Sequence, residues 1–152
     1  MDRERICAGA TEAARAAGAV LMGHLGKLTG VRRKQSALDL VTAADVASEA
    51  LLVERLAAVA PDAGMLAEES GGAGPALPRW IVDPLDGTTN FAHGYPVFCV
   101  SIAFEDASGI AVGVVHDPTR DETFSAIRGR GATLNGRPLR VTEVSRLDEA
   151  LL

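Results

Sequence analysis

The spacing of apolar residues changes character across the Gly/Pro-rich loop from Gly71 to Pro78, from helical before it to strand-like after it, and this change limits the possible folds more than any other feature. From Arg3 to about Leu25, the residues Ile6, Ala10, Ala13, Ala14, Ala17 and Leu21 recur at helical spacing, with Arg5, Glu12 and Arg15 between them. A second helix is predicted where Thr42-Ala43-Ala44-Asp45 supplies a hydroxyl-x-x-carboxylate cap. Its apolar face reads Val46, Ala50, Leu51, Val53, Leu56 and Ala57, and Pro61 ends it. Between the helices, Val31-Arg32-Arg33-Lys34 reads as extended. Downstream come short strand-like runs: Trp80–Val82, Val97–Glu105, Ile110–His116 and Thr123–Ile127. Asp106-Ala107-Ser108-Gly109 closes one hairpin, and Asn135-Gly136 sets a type I′ turn between Ala132–Leu134 and Pro138–Val141. Gly129-Arg130-Gly131 lacks the strand–loop–helix setting of a phosphate loop and reads as a hairpin turn. Helices first and meandering strands after predict an α+β fold, with N-terminal helices packed on an antiparallel sheet.

The 152 residues, 47% hydrophobic, suffice for one core without disulfides. Cys7 and Cys99 show no metal or CxxC spacing; apolar surroundings and reduced thiols in a cytoplasmic protein are expected. The net charge of −5 argues against nucleic acid as a partner. The longest apolar run, Val97 to Phe104 with Ser101 inside it, is far short of the ~20 residues of a membrane-spanning helix. The charge-alternating start Met1-Asp2-Arg3-Glu4-Arg5 does not read as a secretory signal. His24, His93 and His116 share no ligand spacing and read as surface or core residues.

The chemistry concentrates in Trp80-Ile81-Val82-Asp83-Pro84-Leu85-Asp86-Gly87-Thr88-Thr89-Asn90-Phe91, where an apolar strand runs into two acids three residues apart. Pro84 is expected to stop the strand and let Asp83 and Asp86 converge. Two carboxylates within ~4 Å repel by about 4 kcal/mol at an effective dielectric near 20. No Lys or Arg lies between Trp80 and Phe104 to offset this, whereas Mg²⁺ suits such hard oxygen donors and the carbonyl between them. Gly87-Thr88-Thr89-Asn90 reads as the first turn of a short helix, whose unpaired amides accept phosphate. The alternative is ordinary turn chemistry, with Asp86-Gly87 a β-turn, Thr88 a cap and Asp83 a solvated strand end. Glu68-Glu69-Ser70 is either a solvated face or the source of a metal-binding, water-orienting carboxylate at Glu68, with the Thr88 hydroxyl as relay. Lys34 to Asp45 is either a surface loop with its cap or a third piece of the same site.

Together these residues resemble the inositol monophosphatase family of Mg²⁺-dependent, lithium-sensitive phosphatases. Trp80 to Phe91 is similar to its W-x-x-D-P-x-D-G-T-x-x-F signature, Lys34 to Asp45 to K-x-x-x-x-D-L-V-T-x-x-D, and Glu68-Glu69-Ser70 to its E-E-S step. Gly129 to Val141 resembles its G-x-G-A-x-x-N-G-x-x-L-x-V hairpin, and Asp86 to Pro96 is most similar to the bacterial inositol-1-monophosphatase branch. The resemblance implies the first half of a layered αβαβα fold. It implies that Glu68, Asp83 and the Leu85 carbonyl hold one Mg²⁺, that Asp83 and Asp86 share a second, and that Glu68 with Thr88 activates water. Glu68, Leu85, Asp86, Gly87 and Thr88 would contact substrate, the amides near Gly87 and Thr88 holding phosphate. Lys34, Asp39, Asp45 and Glu69 would support these residues, with Asp45 bonded to Thr88.

The family site holds two or three Mg²⁺ ions, completed by the aspartate of a later W-D-x-A-A-G-like motif that residues 1–152 do not contain. The expectation is therefore a single region resembling the N-terminal metal-binding half, with one metal site retained and a homodimer as the family's usual state. The expected activity is hydrolysis of inositol monophosphate or a similar polyol phosphate. Fructose bisphosphate, histidinol phosphate and 3′-phosphoadenosine 5′-phosphate are alternative substrates, and a metal-binding domain with little or no turnover is the alternative function.

Overall fold

The computed structural model describes residues 2–25, 32–33, 40–41, 43–67 and 77–149, with 32–33 and 40–41 described by backbone alone. Helix α1 (Arg3–His24) starts at Asp2, whose carboxylate accepts from the amides of Glu4 and Arg5 at 3.0 and 3.2 Å. Its predicted stripe is the buried one: Ile6, Ala10, Ala13, Ala14, Ala17 and Leu21. Small residues here let helix α2 (Ala43–Val59) approach closely, since a Cβ on Gly9 would come within 2.5 Å of a Val59 methyl. Strands β1 (Arg32–Arg33) and β2 (Leu40–Val41) form a short antiparallel ladder, in line with the extended reading there.

The main sheet runs in chain order: β3 (Gly64–Ala67), β4 (Arg79–Asp86), β5 (Cys99–Asp106), β6 (Gly109–Asp117), β7 (Glu122–Ile127), β8 (Gly131–Leu134) and β9 (Arg137–Pro138). Helix α3 (Thr88–Ala92) lies between β4 and β5, and a 3₁₀ turn spans Leu147–Glu149. The expected α+β class holds, as does the meander from β4 onward. One pair departs from the antiparallel expectation: β3 runs parallel to β4, so the sheet is mixed. Eleven residues separate Ala67 from Arg79, about the shortest return that a parallel pair takes, and no local pattern encodes strand direction.

The turns match their residues. Asp106 and Gly109 close the β5–β6 hairpin, and Asn135 and Gly136 take φ of 49° and 77°, as a type I′ turn requires. Strand β9 is two residues long rather than the predicted four, and Val141 is fully exposed.

The apolar face predicted for α2 is buried only in part: Leu56 lies in the core and Leu51 packs against it, but Ala50 and Ala57 are exposed. Val46 and Val53 are 54% and 37% exposed, while Ala44, Asp45, Ser48, Glu49, Leu52 and Leu56 are buried against α1 and β4. Hydrophobicity alone misplaces this face because half of it is polar, and burying polar groups is tolerable only where the interior offers partners. One sheet face, carrying Trp80, Val82, Val100, Ile102, Phe104, Val112 and Val114, packs under α1 and α2. Trp80 and Phe104 meet edge to face at 4.7 Å, a geometry worth about 0.5–1.5 kcal/mol beyond area burial. His116 lies in this interior and His93 on the surface, as expected of core and surface histidines. Among the described residues, no helix is long and apolar enough to cross a membrane.

Candidate metal and phosphate site

Pro84 does not end the strand. β4 continues to Asp86, and the register slips instead: Asp83 pairs with Ser101 and Asp86 with Cys99. Pro84 and Leu85 together therefore oppose the single residue Val100, which is a β-bulge. The burial pattern follows. Alternation holds up to Asp83, then Pro84 and Leu85 are both buried and Asp86 is exposed. In a regular strand Asp86 would point into the core with Trp80 and Val82; the extra residue turns it onto the face that Asp83 occupies. Proline suits this place because it has no N–H to lose from the ladder.

The backbone groups released by the bulge find partners. The Leu85 amide donates to Asp83 Oδ1 at 3.1 Å, the Thr88 hydroxyl donates to the Leu85 carbonyl at 3.0 Å, and the buried Ser48 hydroxyl donates to the Pro84 carbonyl at 2.9 Å. Gly87 then turns the chain into α3 with φ of 92°, and a Cβ there would meet the Val97 carbonyl oxygen at 3.0 Å. Glycine is required on both counts. Gly87 is the N-cap and Thr88 the first helical residue, so the reading of Thr88 as the cap gives way to the helix-opening one. The first amides of α3 have no partner within the helix.

Asp83, the Leu85 carbonyl, Asp86, Gly87 and Thr88 are thus brought together by one bulge and one turn. Asp45 is buried in the first turn of α2. Lys34, Asp39, Glu68 and Glu69 lie outside the described residues. Among the described residues, no three His, Cys, Asp or Glu side chains form a metal-binding cluster by themselves. The donor chemistry present is two carboxylates and a backbone carbonyl. Such oxygen donors fit Mg²⁺, which retains several waters and takes few protein ligands.

Cys99 is not in the apolar surroundings expected of it. Its thiol donates to Asp86 Oδ2 at 3.6 Å. Burial, then the Asp86 charge and hydrogen bond, then Asp83 and Asp117, push its pKa up to about 12. With no cation bound it is therefore a protonated donor to Asp86 at neutral pH. Asp117 adds a third carboxylate to this neighbourhood. Burial works to raise its pKa, but bonds from Thr119 and Arg120 hold it below the ordinary value. Ser48, Cys99 and Asp117 were all missed by sequence reasoning. No local signal marks them, since each reaches the site through pairing or packing with a distant segment.

Comparison with known proteins points in one direction. The "Inositol monophosphatase family" profile matches residues 2–152. The inositol-1-monophosphatase of Synechocystis is 48% identical over 94% of this chain and 50% of its own length. The crystal structure of the extragenic suppressor protein suhB from Bartonella henselae superposes with a TM-score of 0.86 at 41% identity, covering 93% of this chain and 56% of that one. An IMPase/NADP phosphatase solved with Mg²⁺ and phosphate superposes with a TM-score of 0.72 at 29% identity, over 81% of this chain and 48% of that one. The chain spans about half the length of the curated relatives it matches.

Proposed function

Since the chain belongs to the inositol monophosphatase family, we propose that residues 1–152 form the metal-binding half of a Mg²⁺-dependent phosphomonoesterase acting on inositol monophosphate or a related polyol phosphate. The observation that carries this reading is the bulge, which sets Asp83 and Asp86 on one face beside the start of α3. Asp83 and the Leu85 carbonyl, with Glu68, would hold one ion, and Asp83 with Asp86 would share a second. When bound, such ions lower the pKa of a water and neutralise charge on the phosphate oxygens. Glu68 and Thr88 orient the attacking water, the Thr88 hydroxyl doing so from its anchor on the Leu85 carbonyl. The amides at Gly87 and Thr88 receive phosphate oxygens, and Asp86 reaches the polyol hydroxyls. Lys34, Asp39, Asp45 and Glu69 support these groups. The free cysteines Cys7 and Cys99 suit a reducing cytoplasm.

A second reading, for residues 1–152 taken alone, is a domain that binds Mg²⁺ but does not turn substrate over. Phosphate release from inositol-1-phosphate, compared between wild type and Asp83→Asn at saturating Mg²⁺, separates the two. Mg²⁺-dependent release lost in Asp83→Asn supports the enzyme. Equal background release from both, together with a Mg²⁺-induced rise in Tm in wild type alone, supports the second reading; no rise in Tm counts against both.

A further inference from the structure

We propose that Ser48 is a positioning residue for the Asp83–Asp86 face, acting through the Pro84 carbonyl; this rests on the reading of that face as a divalent-cation site. Three hydrogen bonds shape the bulge. Those from the Leu85 amide to Asp83 and from Thr88 to the Leu85 carbonyl span two and three residues, and they travel with the segment wherever it goes. The bond from Ser48 to the Pro84 carbonyl joins positions 36 apart. It ties the bulge to a helix whose later turns, through Leu52 and Leu56, are buried in the core.

Ser48 is fully buried, on a helix face where Ala44, Leu52 and Leu56 are apolar. Serine is a mediocre helix interior residue because its hydroxyl competes for backbone partners. Here the hydroxyl instead serves a carbonyl that the bulge has taken from the ladder, so its use lies in the bulge rather than in α2. The bulge decides which way Asp86 faces. Without it the register would run regularly, and Asp86 would turn toward the core. Beside the Cys99 thiol, which bonds the Asp86 carboxylate itself, Ser48 is thus the donor from outside the sheet, among the described bonds, that holds the bulge and with it the common orientation of the two carboxylates.

The test compares the full chain with Ser48→Ala, Ser48→Thr and Leu52→Ala, the last a core variant one helical turn away that lacks a bond to β4. Amide hydrogen exchange is followed by NMR without metal, and Mg²⁺ is then titrated against the Asp86 and Gly87 amide signals. In Ser48→Ala, exchange at Leu85, Asp86 and Gly87 is expected to rise at least about tenfold while β5 and β6 keep their protection, and Mg²⁺ affinity to fall about tenfold. Ser48→Thr, which keeps the hydroxyl, restores both. Leu52→Ala raises exchange throughout the domain and leaves Mg²⁺ affinity unchanged. The proposal is overturned if Ser48→Ala leaves exchange at 85–87 unchanged or raises it uniformly, or if it binds Mg²⁺ as wild type does. If wild type itself does not bind Mg²⁺, the cation reading fails, and the exchange contrast still decides whether Ser48 holds the bulge.

Discussion

Asp83 and Asp86 share one face of β4 although three positions separate them, because their partners on β5, Ser101 and Cys99, are only two apart. Two anionic side chains held on one side of a strand repel each other unless a cation lies between them. Replacing Asp86 with Asn is therefore expected to raise metal-free stability by about 0.5 kcal/mol and to reduce the rise in Tm on adding Mg²⁺, since the ion assigned to Glu68, Asp83 and the Leu85 carbonyl does not need Asp86. Thermal melts with and without Mg²⁺ check both parts; a variant stabilised by Mg²⁺ as fully as wild type would count against the shared face as an ion site.

Gly87 enters α3 with φ of 92° and leaves no room for a Cβ beside the Val97 carbonyl. Gly87→Ala adds left-handed backbone strain to a contact with main chain that cannot rotate away, and should cost about 2–3 kcal/mol. The shift of the urea midpoint at unchanged m-value measures it.

His116 is buried beneath α1, its Nδ1 3.0 Å from the Thr123 hydroxyl, which also receives a bond from Arg15 Nε at 3.0 Å. Burial, with the Arg15 charge adding to it, lowers the His116 pKa below its ordinary 6.5, against the opposing pull of the Glu122 carbonyl, Asp121 and Asp117. A depressed histidine pKa means that the unfolded chain binds the proton first. The contribution is fully present above about pH 6.5 and is lost as pH falls from there through the folded-state value, with a slope of at most about 1.4 kcal/mol per pH unit. Stability between pH 7.5 and 5.5 should fall in wild type and stay flatter in His116→Gln; equal slopes would exclude His116 as the source.

Asn135 accepts from the Thr123 amide and donates to the Asp121 carbonyl, both at 2.9 Å, while holding φ of 49°. Alanine loses both bonds and tolerates the turn poorly, so Asn135→Ala should destabilise by about 2 kcal/mol. Loss of amide protection confined first to β7 and β8 is the expected signature.

Some of this was legible because its causes act over a few residues. The alanine stripe of α1, the turn at Asn135-Gly136 and the helix opened by Gly87 depend on short-range sterics and on hydrogen bonds between near neighbours. The same holds for the grouping of Asp83, Leu85, Asp86 and Thr88, which lie within six residues of chain. Pro84 marks a disturbance in the strand but does not say which one: a bulge forms where a strand end is expected. Its missing N–H says only that a ladder bond is lost there, and whether the strand stops or bulges depends on the strand opposite.

What the linear pattern determined, then, is the two long helices, the strands from β4 to β8 and their order, and the kind of donors gathered after β4. The tertiary structure alone decided that β3 runs parallel to β4, that α2 buries Ser48 and Glu49 while exposing Val46, that Cys99 sits against Asp86, and that a bulge rather than a strand end turns both aspartates one way. Each of these follows from the register between segments far apart in the chain. Moving a strand by one residue exchanges its inward and outward side chains without changing its composition.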